Sequence, residues 1–324
     1  MSPFSLPFSV RESLRLNLHE PANYILARPG KGFRSRLVQL GCSLAIGSAN
    51  LSEEEKRRCL IASSVIEKIH AGSLVVDDIQ DESLVRRNAP TLHLKYGVPR
   101  ALNTGNWLYF SPLTSLKDLC LSPENELQLH RDCLETLSTA HCGQALDIGT
   151  RIDEIPQADV PQICFSSLEW KTGELVGLSL RLGAYAAEAP REVRDSLHEC
   201  GKELGISLQI LDDLGNLFMS PQHSMVAKRH EDLRLRRPSW IWSYVASTFS
   251  PGEYQEWIEA VTALPDETML RALIDSHNLS LKANFHASSH LKSAASKLEQ
   301  KFPECREAHE EVCSFIQQLE IAYE

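Results

Sequence analysis

Nowhere in the 324 residues does an unbroken apolar run approach the roughly 20 residues that a membrane span requires, so no such span is expected. Positive charge is scarce as well: 33 Lys and Arg stand against 43 Asp and Glu, a net charge of −10. Phosphate backbones reward basic surfaces, so nucleic acid is not the expected partner. The nine cysteines include no C-x-x-C pair, which removes the common zinc and dithiol patterns. Most lie among apolar neighbours and read as small buried hydrophobes in a reducing cytoplasm. The opening "MSPFSLPFSVRESLRLNLHEP" has two prolines and an Arg11-Glu12 pair where a signal peptide carries a basic start and a continuous apolar core. It is read as mature protein. "GKGF" lacks the glycine and lysine spacing of a phosphate-cradling P-loop.

Strand-like alternation is scarce too. Apolar residues instead recur at steps of three and four in "SEEEKRRCLIASSVIEKIHAGSLVVDDI", "ELQLHRDCLETLSTAHCGQALDIG" and "VRDSLHECGKELGISLQILDDLGNLF". "LSEEE" and "APREVRD" carry the cap or proline and the acidic first turn of helix starts. The breaks, such as "RRNAPT" and "RIDEIPQADVP", are short, and none is a linker. The expectation is one all-α domain over residues 1–324.

Against this background "LVVDDIQDESLVRR", residues 74–87, concentrates charge of both signs. On a helix Asp77 and Asp81 are one turn apart, and Asp78 lies three before Asp81, so three carboxylates crowd one helix end. A solvated acidic face is the plain alternative, but the preceding "IHAGSLVV" reads as buried helix. A hard divalent cation relieves such crowding; Mg²⁺ takes one or two carboxylates and fills its shell with water and substrate phosphates. Arg86 and Arg87 then suit the phosphate, since guanidinium forks match its oxygens. A second acidic site lies in "LQILDDLGNL", where Gln209, Asp212, Asp213 and Asn216 make a polar stripe on an otherwise Leu- and Ile-rich helix.

With both stretches in hand, the chain resembles the trans-isoprenyl diphosphate synthases. "IHAGSLVVDDIQDESLVRRNAPTLHLKYGVP" is similar to their first aspartate-rich region and "LQILDDLGNL" to their second. "RPGKGFRSRL", "GQALDIG", "WKTGELVGLSLRLGA" and "EDLRLRRPSW" follow the family in order, so the resemblance runs from about residue 24 to 242. "DDIQD", "GNWLYF" and a second region written D-D-x-x-N are similar to the eukaryotic-type geranylgeranyl diphosphate synthases.

The resemblance implies a large helical bundle around a central cavity, acting as a cytoplasmic homodimer. It implies a head-to-tail condensation: three Mg²⁺ ions assist ionisation of an allylic diphosphate, isopentenyl diphosphate attacks the carbocation, and a proton is lost to the departing diphosphate. Carried over by position, Asp77, Asp78, Asp81 and Asp212 would ligate metal, and Arg86 would contact the allylic diphosphate. Lys31, Arg34, His70 and Arg87 would hold isopentenyl diphosphate. Lys171, Thr172, Gln209 and Lys228 would complete the allylic side, with Gln144 and Asp147 facing the same cavity. Two departures stand out: Arg237 replaces the usual lysine of the second lid, and Asn216 replaces the last aspartate of the second region, as in the eukaryotic-type members.

Two other readings stay open. A terpene cyclase on the same fold would need no isopentenyl diphosphate site, and its N-x-x-x-S-x-x-x-E motif is incomplete at Asn216, Ser220 and Ser224. A non-catalytic partner subunit would tolerate decay of the aspartates, and the first three are intact. For product length, small residues before the first aspartates imply an open tunnel past Ile69, Gly72 and Ser73 and a twenty-carbon product. Trp107, Tyr109 or Phe110 are then the candidates that stop further growth.

Overall fold

The computed structural model describes residues 6–28, 30, 32–218, 229–308 and 310–314. In chain order its helices are α1 (Phe8–Leu14), α2 (Glu20–Leu26), α3 (Phe33–Ile46), α4 (Glu53–Gln80), α5 (Leu92–Tyr96), α6 (Val98–Phe110), α7 (Pro123–Gly149) and α8 (Val160–Leu168). They continue with α9 (Glu174–Ala186), α10 (Arg191–Phe218), α11 (Glu231–Leu235), α12 (Trp240–Thr248), α13 (Pro251–Thr262), α14 (Thr268–Ser276) and α15 (Leu279–Lys301). The fold is all-α, as the periodicity requires. The strands among the described residues are the two-residue pair β1 (Val85–Arg86) and β2 (Ala89–Pro90), joined antiparallel.

Helix starts follow local chemistry. Ser52 caps α4 by accepting from Glu55 N–H, while Glu55 reaches back to the Ser52 amide, and Glu53, Glu54 and Glu55 sit at the positive end of the helix dipole. Ser122 caps α7 by accepting from Asn125 N–H, with Pro123 at the first helical position.

The long helices stack on one another. α10 packs against α9 and α15, α9 also lies on α3, and α4 is enclosed by α3, α6 and α9. Beneath the aspartates, Val65, Ile66, Ile69, Leu137, Leu175 and Leu178 form one apolar cluster. By length and composition α4 is long and apolar enough to cross a membrane, with mean hydropathy 1.5 over its best 18 residues. Its apolar side is spent on neighbouring helices, as in a core helix.

One expectation fails here. A side chain at Gly72 would not enter a tunnel: its Cβ would lie 2.8 Å from Gly105 O and 2.9 Å from Leu108 Cβ, so Gly72 is the contact that lets α4 and α6 cross closely. Any larger residue there must separate two helices. The face of α4 below Asp77 instead carries Ser73, whose hydroxyl donates to His70 O at 2.8 Å, and then Ile69, fully buried in the apolar cluster.

Candidate active site

α4 ends at Gln80 with Asp81 as its cap, so the acidic motif sits where the helix dipole is already negative. Clustering carboxylates there is costly without cations, and two arrive from distant parts of the chain. Lys171 Nζ lies 2.6 Å from Asp147 Oδ2 and 3.3 Å from Asp77 Oδ1. Arg237 Nη1 lies 2.5 Å from Asp81 Oδ1. Gln144 of α7 completes the group, donating to Asp77 Oδ1 at 3.0 Å and Gln80 Oε1 at 2.8 Å.

Backbone irregularity aims Lys171. Helices α8 and α9 run continuously through one π-helical turn, Glu169–Gly173, a wider turn often found at functional sites. Gly143 brings α7 against that turn, because a Cβ there would lie 2.3 Å from Lys171 N. The next residue, Thr172, donates to Gln209 Oε1 at 2.8 Å and so ties the turn to α10.

The titration behaviour reflects the crowding. Burial raises the Asp77 carboxyl, but Lys171, Gln144 and Arg86 offset this and hold it below the usual range. Burial and neighbouring Asp77 raise Asp81, with Arg237 opposing. Asp232 is pushed up to about 7 by burial, then by Asp147 and Asp212. Lys171 is pushed above its usual range, since Asp147 and Asp77 outweigh its burial.

Each aspartate pair divides. Asp78, only 1% exposed, turns into the protein and accepts from Arg86 Nε at 2.9 Å and Nη2 at 2.6 Å, so it does not share the face of Asp77 and Asp81. Asp213 is likewise buried, accepting from Gln209 Nε2 at 2.9 Å and from Trp240 N–H at 2.6 Å, whereas Asp212 is exposed. Asn216 donates to Asp232 at 3.2 Å. Asp232 was not singled out in the sequence, although it stands within "EDLRLRRPSW"; a charged residue on a five-residue helix has no periodicity to mark it.

The neighbouring arginine takes another path. Arg87 and Asn88 both have positive φ, 51° and 59°, and turn the β1–β2 hairpin. Arg86 thereby faces Asp78, while Arg87 donates to Arg28 O and stands near His70. Burial and then the guanidinium groups of Arg34, Arg87 and Arg86 hold the His70 pKa well below its usual value, leaving a neutral imidazole in a basic pocket. Lys31 and Lys228 lie outside the described residues.

Of the three aromatic candidates, Tyr109 alone comes near the aspartates. Burial and the Asp77 charge push its phenol up to about 12, and its ring lies 4.9 Å from that of His141. Trp107 meets His19 edge-on at 5.7 Å, and Phe110 is 65% exposed.

Among the described residues no three carboxylate, imidazole or thiol ligands are already gathered for an ion. The donor chemistry fits Mg²⁺ nonetheless: hard oxygens from Asp77 and Asp81, with Asp212 beside Asp232, in a setting crowded enough with negative charge to raise Asp232. When bound, such an ion would stabilise negative charge developing on a phosphate leaving group.

Residues 16–275 match the family described as Polyprenyl synthetase. The chain is 32% identical over 202 residues to a geranylgeranyl pyrophosphate synthase of Eremothecium gossypii, covering 62% of this chain and 60% of that protein. It is 31% identical over 215 residues to one of Dictyostelium discoideum, covering 66% and 64%. The matches thus span less than two thirds of either relative's length. Among solved structures, a geranylgeranyl pyrophosphate synthetase of Pyrococcus horikoshii superposes with a TM-score of 0.76 at 20% identity, covering 94% of this chain and 89% of that one, a likeness of fold. The aspartates at the end of α4, paired with Lys171 and Arg237, and the second aspartate pair on α10 all lie inside the matched residues, and the chain belongs to the polyprenyl synthetase family.

Proposed function

We infer that the protein is a chain-elongating prenyltransferase that joins isopentenyl diphosphate head-to-tail to an allylic diphosphate and yields mainly geranylgeranyl diphosphate. The observation that carries this reading is the pairing of two sites on one helix. His70, its pKa lowered by burial and by the charges of Arg34, Arg87 and Arg86, suits one diphosphate bound directly; Asp77 and Asp81, two and three turns further along, suit a second bound through metal. A cyclase needs only the second site.

In this mechanism Arg34 and Arg87 fix isopentenyl diphosphate so that its double bond faces the allylic carbon. Lys171 and Arg237 stand where charge grows on the departing diphosphate, and being preorganised they need no rearrangement as the bond breaks. Thr172 and Gln209 hold the π-helical turn that carries Lys171. The proton lost after condensation goes to the departing diphosphate. Asp77, Asp81 and Asp212 are the proposed holders of three Mg²⁺ ions, shared with the substrate. The tail is proposed to run past Ser73 and Ile69, with Tyr109 as the residue that stops growth.

A homodimer is supported by apolar side chains exposed on two helices: Val98, Leu102 and Phe110 on α6, and Leu127, Leu134 and Ile148 on α7. Tyr109 and His141 bring those helices together. Exposed apolar side chains clustered on a surface can mark an association site. The nine cysteines are free, six of them buried, which suits the reducing cytoplasm we propose as its location. We read the whole chain as one domain.

The test is incubation with Mg²⁺, isopentenyl diphosphate and dimethylallyl, geranyl or farnesyl diphosphate, with products analysed before and after phosphatase. Twenty-carbon alcohol seen only after phosphatase supports the reading. Hydrocarbon without phosphatase, or no consumption of isopentenyl diphosphate, overturns it.

A further inference from the structure

Arg237 reaches Asp81 from a turn that its own residue type does not set. That turn follows α11 and closes with two bonds, Arg236 N–H to Leu233 O and Arg237 N–H to Asp232 O, each 3.0 Å. This is the Schellman arrangement, whose left-handed position is usually glycine because a Cβ is disfavoured there. Here Arg236 occupies it, with φ 55° and ψ 36°.

Something outside the turn must therefore hold it, and the segment after α7 does so twice. Arg236 Nε lies 2.8 Å from Asp153 Oδ2, and Arg236 O accepts from Ile152 N–H at 3.0 Å. Thr262 adds a contact from α13, its hydroxyl 3.2 Å from Arg236 Nη2. Ile152 and Asp153 come directly after the helix that presents Gln144 and Asp147. The clamp thus references Arg237 to the same helix that positions the partners of Asp77 and Lys171.

We propose that Arg236 is a positioning residue: the Asp153 clamp on its left-handed turn aims Arg237 across the site at Asp81 and at the allylic diphosphate. The substrate half of this statement rests on the prenyltransferase reading above. The conformational half does not, and the two can be tested apart.

Such a clamp entails an unusual pattern of rescue. Asp153→Ala leaves an arginine in a left-handed turn with its anchor gone, so the turn should relax. Arg236→Gly removes the same ion pair but also removes the Cβ that makes the anchor necessary. In ligand-free protein, hydrogen exchange of the 231–240 segment should quicken by about tenfold in Asp153→Ala and return to near wild type in Asp153→Ala/Arg236→Gly. In steady-state assays Asp153→Ala should raise KM for the allylic diphosphate by about tenfold and leave KM for isopentenyl diphosphate within about twofold, with the double variant again restored. The melting temperature of Asp153→Ala should stay close to wild type, which separates aim from loss of fold.

Unchanged exchange in Asp153→Ala, or a double variant no better than Asp153→Ala, overturns the clamp. Restored exchange with equal shifts in both KM values overturns its role in aiming Arg237. A wild-type protein that makes no prenyl product overturns the proposed function alone, because exchange still decides the clamp.

Discussion

Within two turns of α4 the protein keeps a basic pocket and an acidic cleft, and the two are built on opposite logic. Around His70, burial and then neighbouring guanidinium groups lower the pKa of a neutral imidazole; at Asp81, burial and then the Asp77 charge raise that of a carboxyl. The acidic side is offset within the protein by Lys171 and Arg237, and each site favours a ligand of charge opposite to its own. The boundary between them is a single side chain. Arg86 belongs by sequence to the basic pair but is spent on buried Asp78, so it closes the acidic side while Arg87 serves the basic one. One helix can therefore present two sites of opposite charge when a hairpin turn sends adjacent arginines apart.

Removing the boundary should have the largest effect. Arg86→Ala removes both guanidinium bonds from the buried Asp78 carboxylate and is expected to cost about 3 kcal/mol of stability, read by denaturant unfolding. Asp78→Asn in that background should return most of it. If Arg86→Ala unfolds at the wild-type midpoint, the partition has no structural role.

Next comes the acidic side alone. Asp81→Ala should lower turnover at least about 10²-fold at saturating Mg²⁺ while the fold persists, because a proposed ligand of the metal that would stabilise the leaving diphosphate is lost. Near wild-type turnover in a folded variant would remove Asp81 from the metal set.

A smaller effect should separate the two sites by substrate. Arg87→Ala should raise KM for isopentenyl diphosphate by about tenfold, and Arg237→Ala should do the same for the allylic diphosphate. Equal shifts for one substrate in both variants would mean the two regions do not divide the substrates.

The smallest effect is a pH dependence of opposite sign, measured by unfolding in chelator. His70 is lowered in the folded state, so the unfolded chain binds the proton more readily, and its contribution to stability is lost as pH falls through about 6.5. Asp232 is raised to about 7, so the folded state binds the proton more readily, and its contribution is lost as pH rises from about 4 towards 7. Asp232→Asn should therefore flatten the fall between pH 5 and 7, and His70→Gln the loss below 6.5. A profile unmoved by either variant would show that the crowding is relieved in solution.

What was legible in the sequence was whatever one helix specifies by itself. Apolar residues at steps of three and four gave the all-α class, and "LSEEE" gave the start of α4, because both depend on chemistry within a single turn. The spacing of Asp77 and Asp81 put them on one face for the same reason. Gln144 and Asp147, one turn apart on α7, meet Asp77 and Lys171 respectively.

Local pattern could not say which member of an adjacent pair turns inward. Asp77 and Asp78 are alike in sequence, and only the packing of α4 against α3, α6 and α9, with Arg86 folding back, decides that Asp78 is the buried one. Gly72 looked like room for a prenyl tail until α6 filled the space beside it. The cations of the cleft come from 94 and 156 residues away, Lys171 to Asp77 and Arg237 to Asp81, and the second arrives through a left-handed turn held by Asp153. A helix fixes the angles between its own side chains from sequence, but what each face meets is set by segments distant along the chain. That is why the sequence determined the helices and their acidic faces, while only tertiary packing decided which charges those faces would share.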